Sequence, residues 1–336
     1  MNRTPRLRPA RRTVLGLGAA GIAAAALSHQ ALADTLDDQE PRTGLAAPGE
    51  LWVRSGRLLQ STVLQSFTVD ERRGHLYALQ VVQGGLRLTG EARTYSHAER
   101  VVRGDLCLNR LTLTGRMTGA MFLKGFGHGT AMGVQETANG PRLWTEWDAH
   151  PASGYGRGIC RIPFRNWTVL SARSPGLTTF RPVPGSTSNS ATLDLGHGRL
   201  LLRYRLNSTP RFGVFSLSDL QAGSFRPLAD FVQPGVHLVL PFQGMALHGE
   251  YAYQLLGSAY GPTNPVGAGG NVHLYRIHWR TGRTVLQIRE TTALELHPRE
   301  PEGLAVSGRG GPKVCMGFTH GNGQDRQFSL YRKPII

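Results

Sequence analysis

One short phrase recurs five times along the chain, and this repeat constrains the fold more than any other feature. Each copy consists of a polar residue, a small residue and then alternating apolar positions. The polar residues that open the copies are Gln65, His128, Asn189, Gln243 and Glu302, at intervals of 63, 61, 54 and 59 residues. A turn and a second strand with bulky residues follow every copy. Repeats of this length, each a meander of strands, predict the blades of a β-propeller.

We predict an all-β chain that forms a five-bladed β-propeller over residues 51–336. Glycine (43 residues) and proline (20 residues) punctuate short apolar runs, and beyond residue 33 only 96–103 and 216–222 suggest a short helix or a helical turn. The last copy is too short for a complete blade. We expect the strand within 51–60 to complete it, so that N- and C-terminal strands close the ring. The alternative is an ordinary pair of β-sandwiches in which the phrase matches are fortuitous.

The first 33 residues predict a twin-arginine signal peptide. Arg11 and Arg12 precede Thr13, Val14 and Leu15, as in the twin-arginine consensus. An apolar run over 14–26 follows, and 31–33 fit the small-x-small cleavage pattern. This run is shorter than the roughly 20 residues that span a bilayer. We therefore expect a mature chain without a transmembrane segment, secreted or bound to the cell wall. We also expect a flexible linker over residues 34–50.

The charge of the chain favours an anionic partner. The formal net charge is +16, and removal of the five leader arginines would leave a mature chain that is still strongly basic. Phosphate-rich wall polymers, anionic lipid and extracellular DNA are the candidates. We favour an anionic wall polysaccharide or teichoic acid, and we expect no nucleic acid. An arginine bias caused by genome composition is the alternative explanation of the charge.

The three cysteines, Cys107, Cys160 and Cys315, lie far apart and form no CxxC pair. This spacing predicts neither a zinc site nor a disulfide scaffold. We expect buried free thiols, although one bridge is possible from the sequence. No motif for a metal or a cofactor is present, so we predict neither.

The repeat also predicts a ligand-binding ring. The polar residues that open the five copies would surround one mouth of the central channel, where convergent polar groups form a typical small-ligand site. The alternative is that Gln65, His128, Asn189, Gln243 and Glu302 only hydrate the channel. Three further residues in Gly/Pro-rich loops or beside the mouth are added as ligand-binding candidates: Arg181, Tyr260 and Arg299.

An enzymatic alternative rests on the acidic residues. Glu302 or His128 at the channel, with Glu146 as a partner, would suit acid–base cleavage of a glycan by a hydrolase or lyase. In the segment 144–148, Glu146 and Asp148 would share one face of a strand, and we expect Trp144 and Trp147 on the other face.

Several phrases resemble a known family. They are TVLQSF (62–67), GFGHG (125–129), LWTE (143–146), RPVPGSTSN (181–189), LADF (228–231) and REPEG (299–303). The chain resembles actinobacterial exported proteins labelled teichoic-acid-biosynthesis protein C or phage baseplate protein. That group is similar to the β-propeller domain of receptor-binding proteins from staphylococcal phages. The resemblance implies a five-bladed propeller and, for the phage members, binding to wall teichoic acid.

Three hypotheses follow for the function. The first is an exported propeller that binds an anionic cell-wall glycopolymer. The second is the glycan hydrolase or lyase described above. The third is a structural or protein-interaction propeller whose channel is merely hydrated, because a fold alone does not assign a function.

Overall fold

The computed structural model describes residues 44–335. The predicted signal peptide and linker residues 34–43 lie outside this range. In the described residues, 21 strands form five sheets, each of which begins near one copy of the repeated phrase. The chain is a five-bladed β-propeller, so the predicted fold class is confirmed.

The strands of the first three blades follow the chain in order, with one exchange. Blade 1 contains β2 (Leu64–Asp70), β3 (His75–Val81), β4 (Leu106–Thr112) and β5 (Met117–Lys124). Blade 2 contains β6 (Gly133–Gln135), β7 (Arg142–Ala149), β8 (Gly156–Pro163) and β10 (Thr178–Phe180). Between the last two, β9 (Val169–Ser171) crosses to blade 1 and pairs in parallel with β5. Blade 3 contains β11 (Thr187–Asp194), β12 (Arg199–Leu206), β13 (Thr209–Ser216) and β14 (Ala229–Val232).

The last two blades include the closure of the ring. Blade 4 contains β15 (Phe242–His248), β16 (Tyr251–Leu256), β17 (His273–His278) and β18 (Arg283–Arg289). Blade 5 contains β19 (Glu300–Ser307), β20 (Lys313–His320), β21 (Gln327–Pro334) and, as its outer strand, β1 (Glu50–Gly56). Because β1 pairs antiparallel with β21, strands from the two ends of the described chain complete one blade. The predicted closure is therefore confirmed.

Residues just before β1 are folded rather than part of a flexible linker. A 3₁₀ helix over Gly44–Ala46 places Leu45 in the core with 5% of its surface exposed. The buried Lys333 Nζ donates to the Leu45 carbonyl at 2.9 Å and to Glu290 Oε2 at 2.5 Å. The prediction of a linker up to residue 50 is thus wrong for 44–50, because the Leu45 side chain and its carbonyl have partners in blades 4 and 5.

The hydrophobic core consists of layers between neighbouring blades. In blade 3, Leu200 and Leu202 pack toward blade 2, whereas Leu201 packs toward blade 4. Both faces of each blade are covered, and this explains why strands such as β12 have continuous apolar runs instead of strict alternation. The three cysteines are buried free thiols, as predicted.

Short helices occur at the two predicted places. Helix α1 (His97–Arg103) begins after Ser96, which forms a capping box with Glu99. Helix α2 (Leu217–Gln221) begins after Ser216, whose hydroxyl accepts from Asp219 N. Further 3₁₀ turns lie at Leu195–His197, Val236–Leu238, Val266–Ala268 and Gly323–Asp325. No helix among residues 44–335 is long and apolar enough to cross a membrane.

The small residue in each phrase relieves crowding at the axis. A Cβ on Gly244 would lie 2.6 Å from the Leu304 nitrogen of the next inner strand. Neighbouring inner strands are also tied by side chains, since Ser66 Oγ donates to the Gly129 carbonyl at 2.6 Å. These contacts explain why glycine and serine follow the polar residue.

Candidate functional site

The five polar residues that open the phrases lie at one end of the axis, but they do not line an open ring. Gln65, His128 and Gln243 are half-buried, whereas Asn189 and Glu302 are buried. In blades 1, 3, 4 and 5 the polar residue falls at an irregularity in the pairing of the inner strand. A β-bulge re-aims the side chain. Four of the five residues of the predicted ring therefore lie at bulges. The five side chains do not line the cavity at Thr130 and Phe242 or the cavity at Asp70 and Gly308.

Two members of the predicted ring have structural partners. Asn189 Nδ2 donates to the Gly156 carbonyl at 3.3 Å, and its Oδ1 accepts from Ser186 Oγ at 3.1 Å. Gln243 Nε2 donates to the Gly257 carbonyl at 2.9 Å. The bond to Gly156 ties the inner strand of blade 3 to β8 of blade 2, and the bond to Gly257 ties the inner strand of blade 4 to the residue after β16, so both amides serve the fold.

The Glu146 carboxylate is fully buried and organises blade 2. It accepts hydrogen bonds from four backbone amides and two hydroxyls between 2.9 and 3.2 Å, namely those of His128, Gly129, Thr130, Gly156 and Ser190. The phrase in blade 2 was expected to form a strand from its start, yet β6 begins only at Gly133. Over residues 128–130 the backbone N–H groups therefore donate to the Glu146 carboxylate instead of to a neighbouring strand. Its acceptor sites are occupied, so Glu146 serves in this structure as a buried structural acceptor.

Glu302 lies in the interior of the same end. Burial raises the pKa of its carboxyl well above the ordinary value, the nearby Glu300 adds to this effect and Arg326 opposes it. A raised pKa suits a general acid. Most glycosidases use a pair of carboxyl groups, and the partner expected from the sequence, Glu146, already accepts six hydrogen bonds.

The tryptophans of β7 lie on opposite faces of the sheet. Trp144 stacks on Phe180 with ring centroids 5.2 Å apart, between blades 2 and 3. Trp147 packs toward blade 1. The expectation that they share a face is wrong, because an odd separation along a strand reverses the side-chain direction.

One cavity at this end lies over blades 2 to 4, and we call it the arginine mouth. Its volume is about 400 Å³, and its walls include Thr130, Tyr155, Ser188, Arg203, Arg205 and Phe242. The two arginines come from β12, where they lie opposite Ser190 and Thr187 of the inner strand. Residues two apart on a strand point to the same side, so both guanidinium groups belong to one wall.

The arginine mouth carries positive charge, and its lining residues in the described part of the chain include no carboxylate. The buried Glu146 partly opposes the effect of burial on the pKa of Arg203. Arg203 is 8% exposed, its Nε donates to Gln233 Oε1 at 2.7 Å, and its guanidinium carbon lies 4.1 Å from the centre of the Phe242 ring. Burial, with the positive charge of Arg205, lowers the pKa of Arg203 to about 10. Within residues 44–335 neither arginine forms an ion pair. A buried charge without a partner is costly, and an anionic ligand would relieve that cost.

Tyr155 lies beside Arg203 and Arg205 in the wall of the arginine mouth. Its ring stacks on His128 with centroids 4.7 Å apart. Burial raises the pKa of the Tyr155 hydroxyl, Glu146 and Glu302 add to the shift, and Arg203 and Arg205 oppose it. Burial also lowers the pKa of His128, so a neutral imidazole supports the tyrosine. The arrangement offers an aromatic face and a hydroxyl beside two guanidinium groups.

The three loop residues predicted to bind ligand lie elsewhere. Arg181 pairs with Asp148 and lies over the Trp147 ring at 4.7 Å. Tyr260 donates its hydroxyl to the Leu294 carbonyl at 3.2 Å. Arg299 was expected near the mouth, but it is fully buried and donates to the carbonyls of Glu290 and Thr292. Its position in the core leaves no route to a phosphate.

The opposite end of the axis holds a second cavity, which we call the carboxylate end. Its volume is about 340 Å³, and the last residues of all five inner strands contribute to it. Asp70, Glu71, Glu136 and Asp194 lie in its wall. Glu71 Oε1 accepts from Ser307 Oγ, Gly308 N and Arg309 N at 2.6, 2.8 and 2.9 Å. Among residues 44–335 no group of three His, Cys, Asp or Glu side chains is placed to hold a metal ion.

The sequence-based reasoning missed Arg203, Arg205 and Tyr155. A signal was available in the run LLLRYRL, in which two arginines alternate with a tyrosine at the end of a predicted strand. That alternation places both arginines on one face. The bulges could not be foreseen, because they depend on pairing with the neighbouring strand.

Comparisons with known proteins agree with this fold. The family model described as the phage 5-bladed beta propeller receptor binding platform domain matches residues 63–332. The chain is 26% identical over 289 residues to a curated Bacillus subtilis (strain 168) protein named "Putative major teichoic acid biosynthesis protein C". That alignment covers 82% of this chain and 60% of the relative, so the chain spans less than two thirds of its length.

A solved structure shares the architecture. The tail fiber of Staphylococcus aureus phage P68 superimposes with a TM-score of 0.65 at 18% identity, over 90% of this chain and 56% of that chain. At this identity the similarity shows the fold alone. The resemblance found from the sequence phrases is confirmed by the family model, the named relative and this structure.

Proposed function

The chain belongs to the family of phage five-bladed β-propeller receptor-binding platform domains, and from this membership we propose that it binds a cell-wall glycan and specifically an anionic glycopolymer such as teichoic acid. The observation that carries the proposal is the arginine mouth, in which two guanidinium groups line one concave wall without a carboxylate partner. Guanidinium groups match phosphate oxygens in geometry and charge. The name of the Bacillus subtilis relative supports a teichoic acid as the polymer class.

The remaining groups of the cavity suit a sugar or polyol phosphate. Tyr155 offers a ring face and a hydroxyl, and Thr130 and Ser188 offer further hydroxyl groups. Sites for such ligands combine a few charged groups with aromatic walls. We propose binding rather than glycan cleavage, because Glu146, the partner expected from the sequence for acid–base cleavage, already accepts hydrogen bonds from six donors.

The test is retention of the purified protein on cell walls with and without their anionic polymers. We expect binding to intact walls and little binding after the polymers are extracted. Arg205→Glu should lower retention roughly tenfold, because reversal of an exposed charge opposes a phosphate directly. Arg226→Glu is the matched control, since Arg226 is equally exposed and lies in the β13–β14 connection. Equal retention on both wall preparations would overturn the proposal.

We also propose that the chain is exported by the twin-arginine pathway, as the pattern in 1–33 indicates. Export would bring the propeller to the wall polymer. Substitution of Arg11 and Arg12 together by lysine should retain the protein inside cells that export the unmodified chain. Unchanged secretion of this variant would contradict the pathway and would leave the binding proposal untouched.

A further inference from the structure

A second concavity lies on the same face as the arginine mouth, between blades 1 and 2, and we call it the tryptophan groove. Its volume is about 650 Å³. It is bounded by the β3–β4 connection, the end of β5, the β7–β8 connection and the segment after β9. Strand directions place all four at the end where the inner strands begin. Its charged and aromatic lining includes Arg103, Asp105, Lys124, Trp147, Arg157 and Arg173.

The groove carries excess positive charge, because its carboxylates are already paired. Asp105 Oδ2 accepts from Arg100 Nη1 at 2.8 Å and from Arg103 Nε at 3.1 Å, and its Oδ1 accepts from Gly125 N. Asp148, on the facing wall, accepts from Arg157 Nη2 at 2.7 Å and also pairs with Arg181. Each acid therefore has two arginine partners and is neutralised locally.

The basic residues that remain are available to a ligand. Arg173 is exposed, and within residues 44–335 its guanidinium forms no ion pair. Lys124 has one distant partner, with Nζ 3.8 Å from Glu91 Oε1. Both groups lie on the blade 1 side of the groove, because β9 pairs with β5 and Lys124 lies opposite Ser171. An anion at this wall would therefore meet two positive charges.

Trp147 gives the groove a rigid apolar wall. Its indole Nε1 donates to the Ala172 carbonyl at 2.8 Å, which fixes the ring between β7 and the segment after β9. The Arg181 guanidinium stacks on the ring, 4.7 Å from its centre. The part of the indole that lines the groove lies beside cationic groups, and this combination suits the C–H surface and the phosphate of a polyol or sugar phosphate.

The β7–β8 connection is the partition between the groove and the arginine mouth. Pro151 and Arg157 line the groove, whereas Ser153 and Tyr155 line the mouth. Tyr155 and Arg157 are two residues apart, about 7 Å along an extended chain. The partition is tightly turned, since His150 accepts from Gly154 N and donates to the Tyr155 carbonyl, both at 2.8 Å. A linear polymer need only cross one narrow wall to occupy both sites.

We propose that the tryptophan groove is a second subsite for the anionic polymer, which runs from the arginine mouth across the β7–β8 connection. This inference rests on the proposed function. A polymer that occupies two connected sites gains affinity over a single unit without any new contact in the first site. The two sites should therefore separate when short and long probes are compared.

The experiment measures affinity by titration calorimetry for two probes, glycerol 3-phosphate and purified polyglycerol phosphate chains. Arg173→Glu in the groove should weaken binding of the long chain by roughly two- to fivefold, the range expected for an exposed charge, and leave glycerol 3-phosphate unchanged. Arg205→Glu in the mouth should weaken both probes. Lys124→Gln provides a second groove variant, Arg226→Glu is the control, and thermal unfolding verifies that each variant is folded.

The outcomes separate this inference from the proposed function. If Arg205→Glu weakens both probes and neither groove variant affects the long chain, the groove is not a subsite while the mouth still binds. If a groove variant weakens glycerol 3-phosphate as strongly as the long chain, the two cavities are one site and the inference is overturned. If neither probe binds to the wild-type protein, the proposed function itself fails.

Discussion

The two ends of the propeller axis carry opposite charge and satisfy it in different ways. At the carboxylate end, Glu71 accepts three hydrogen bonds, and Asp194 accepts from Gly249 N at 2.8 Å beside His197 Nδ1 at 2.9 Å. At the arginine mouth, Arg203 has one neutral side-chain partner and Arg205 has no ion pair among the described residues. The carboxylates of one end form hydrogen bonds that join neighbouring blades, whereas the guanidinium groups of the arginine mouth retain donors that could bind an anion.

This difference shows that charge alone does not identify a binding site. A carboxylate filled by backbone donors acts as a structural connector, because a ligand would have to displace bonds already made. A guanidinium group in a cavity without a carboxylate retains most of its capacity to bind an anion. Removal of one structural carboxylate and of one guanidinium group in the cavity would test this distinction.

The largest expected effect comes from Glu146, the structural carboxylate beneath the arginine mouth. Glu146→Ala should lower the free energy of unfolding by about 3–5 kcal/mol, because it leaves six buried donors without their acceptor. Chemical denaturation measures this change. Glu250→Ala, at an exposed position, is the control and should change stability by less than about 0.5 kcal/mol.

A catalytic role for Glu146 would give the opposite result. In that case Glu146→Gln would abolish glycan cleavage while the melting temperature stayed near that of the wild-type protein. A stable Glu146→Ala protein would show that the amides of 128–130 do not depend on the carboxylate. It would also remove the contrast between a connecting charge and an available one.

The next largest effect is expected for Arg203, whose guanidinium group forms no ion pair among residues 44–335. Arg203→Met should weaken polymer binding at least about tenfold, as expected for a charged hydrogen bond of about 1.5–3 kcal/mol. Stability should stay within about 1 kcal/mol, because relief from burying the charge offsets the lost bond to Gln233. The matched control is Arg199→Met on the same strand. Arg199 donates to the Gly249 carbonyl at the other end, so its loss should affect stability and not binding.

Much of the fold could be predicted from the sequence, because propeller blades repeat. The phrase fixed five inner strands, and the need to close the last blade pointed to the strand after residue 50, now β1. Blade 2 departed from the pattern. Its inner strand is only Gly133–Gln135, since Glu146 from the next strand supplies the acceptors over 128–130. When a side chain from another strand accepts backbone hydrogen bonds in place of strand pairing, the sequence shows no periodic pattern that reports it.

The candidate site was less predictable than the fold. The repeat identified the correct end of the axis but selected the opening residues of the phrases, and four of these five fall at bulges. Asn189 and Arg299 turn inward to backbone carbonyls. The arginine mouth instead uses the second strand of blade 3, where Arg203 and Arg205 border the axis. Which strand reaches the cavity depends on blade tilt and loop packing, and no residue pattern reports these.

The carboxylate end should show a pH dependence centred on Asp70. Burial, with the neighbouring Glu136 carboxylate, raises the pKa of Asp70 to about 6. The folded state thus holds this proton more tightly than the unfolded chain, and its stability falls as the pH rises from about 4 to about 6. Asp70→Asn removes this loss. The variant should match the wild-type protein near pH 4 and exceed it by about 2–3 kcal/mol at neutral pH, because each unit of the raised pKa corresponds to about 1.4 kcal/mol.

Thermal unfolding at the two pH values provides the measurement for Asp70. An equal stability difference at both pH values would mean that the pKa of Asp70 is not raised in the folded state. Glycan binding should not follow this pH profile. If it did, the two ends would be coupled through the axis.

The smallest expected effect is that of Asp194→Asn on polymer binding. Strand β11 begins with Thr187 in the wall of the arginine mouth and ends with Asp194 at the carboxylate end. Eight residues of strand separate these positions by about 23 Å, whereas the Debye length at physiological salt is about 8 Å. The affinity should therefore change less than about twofold at physiological salt, and the association rate should rise only at low salt. A severalfold gain in affinity at physiological salt would mean that the field of the carboxylate end reaches the mouth through the low-dielectric interior, and the arginines would then be only part of the anion site.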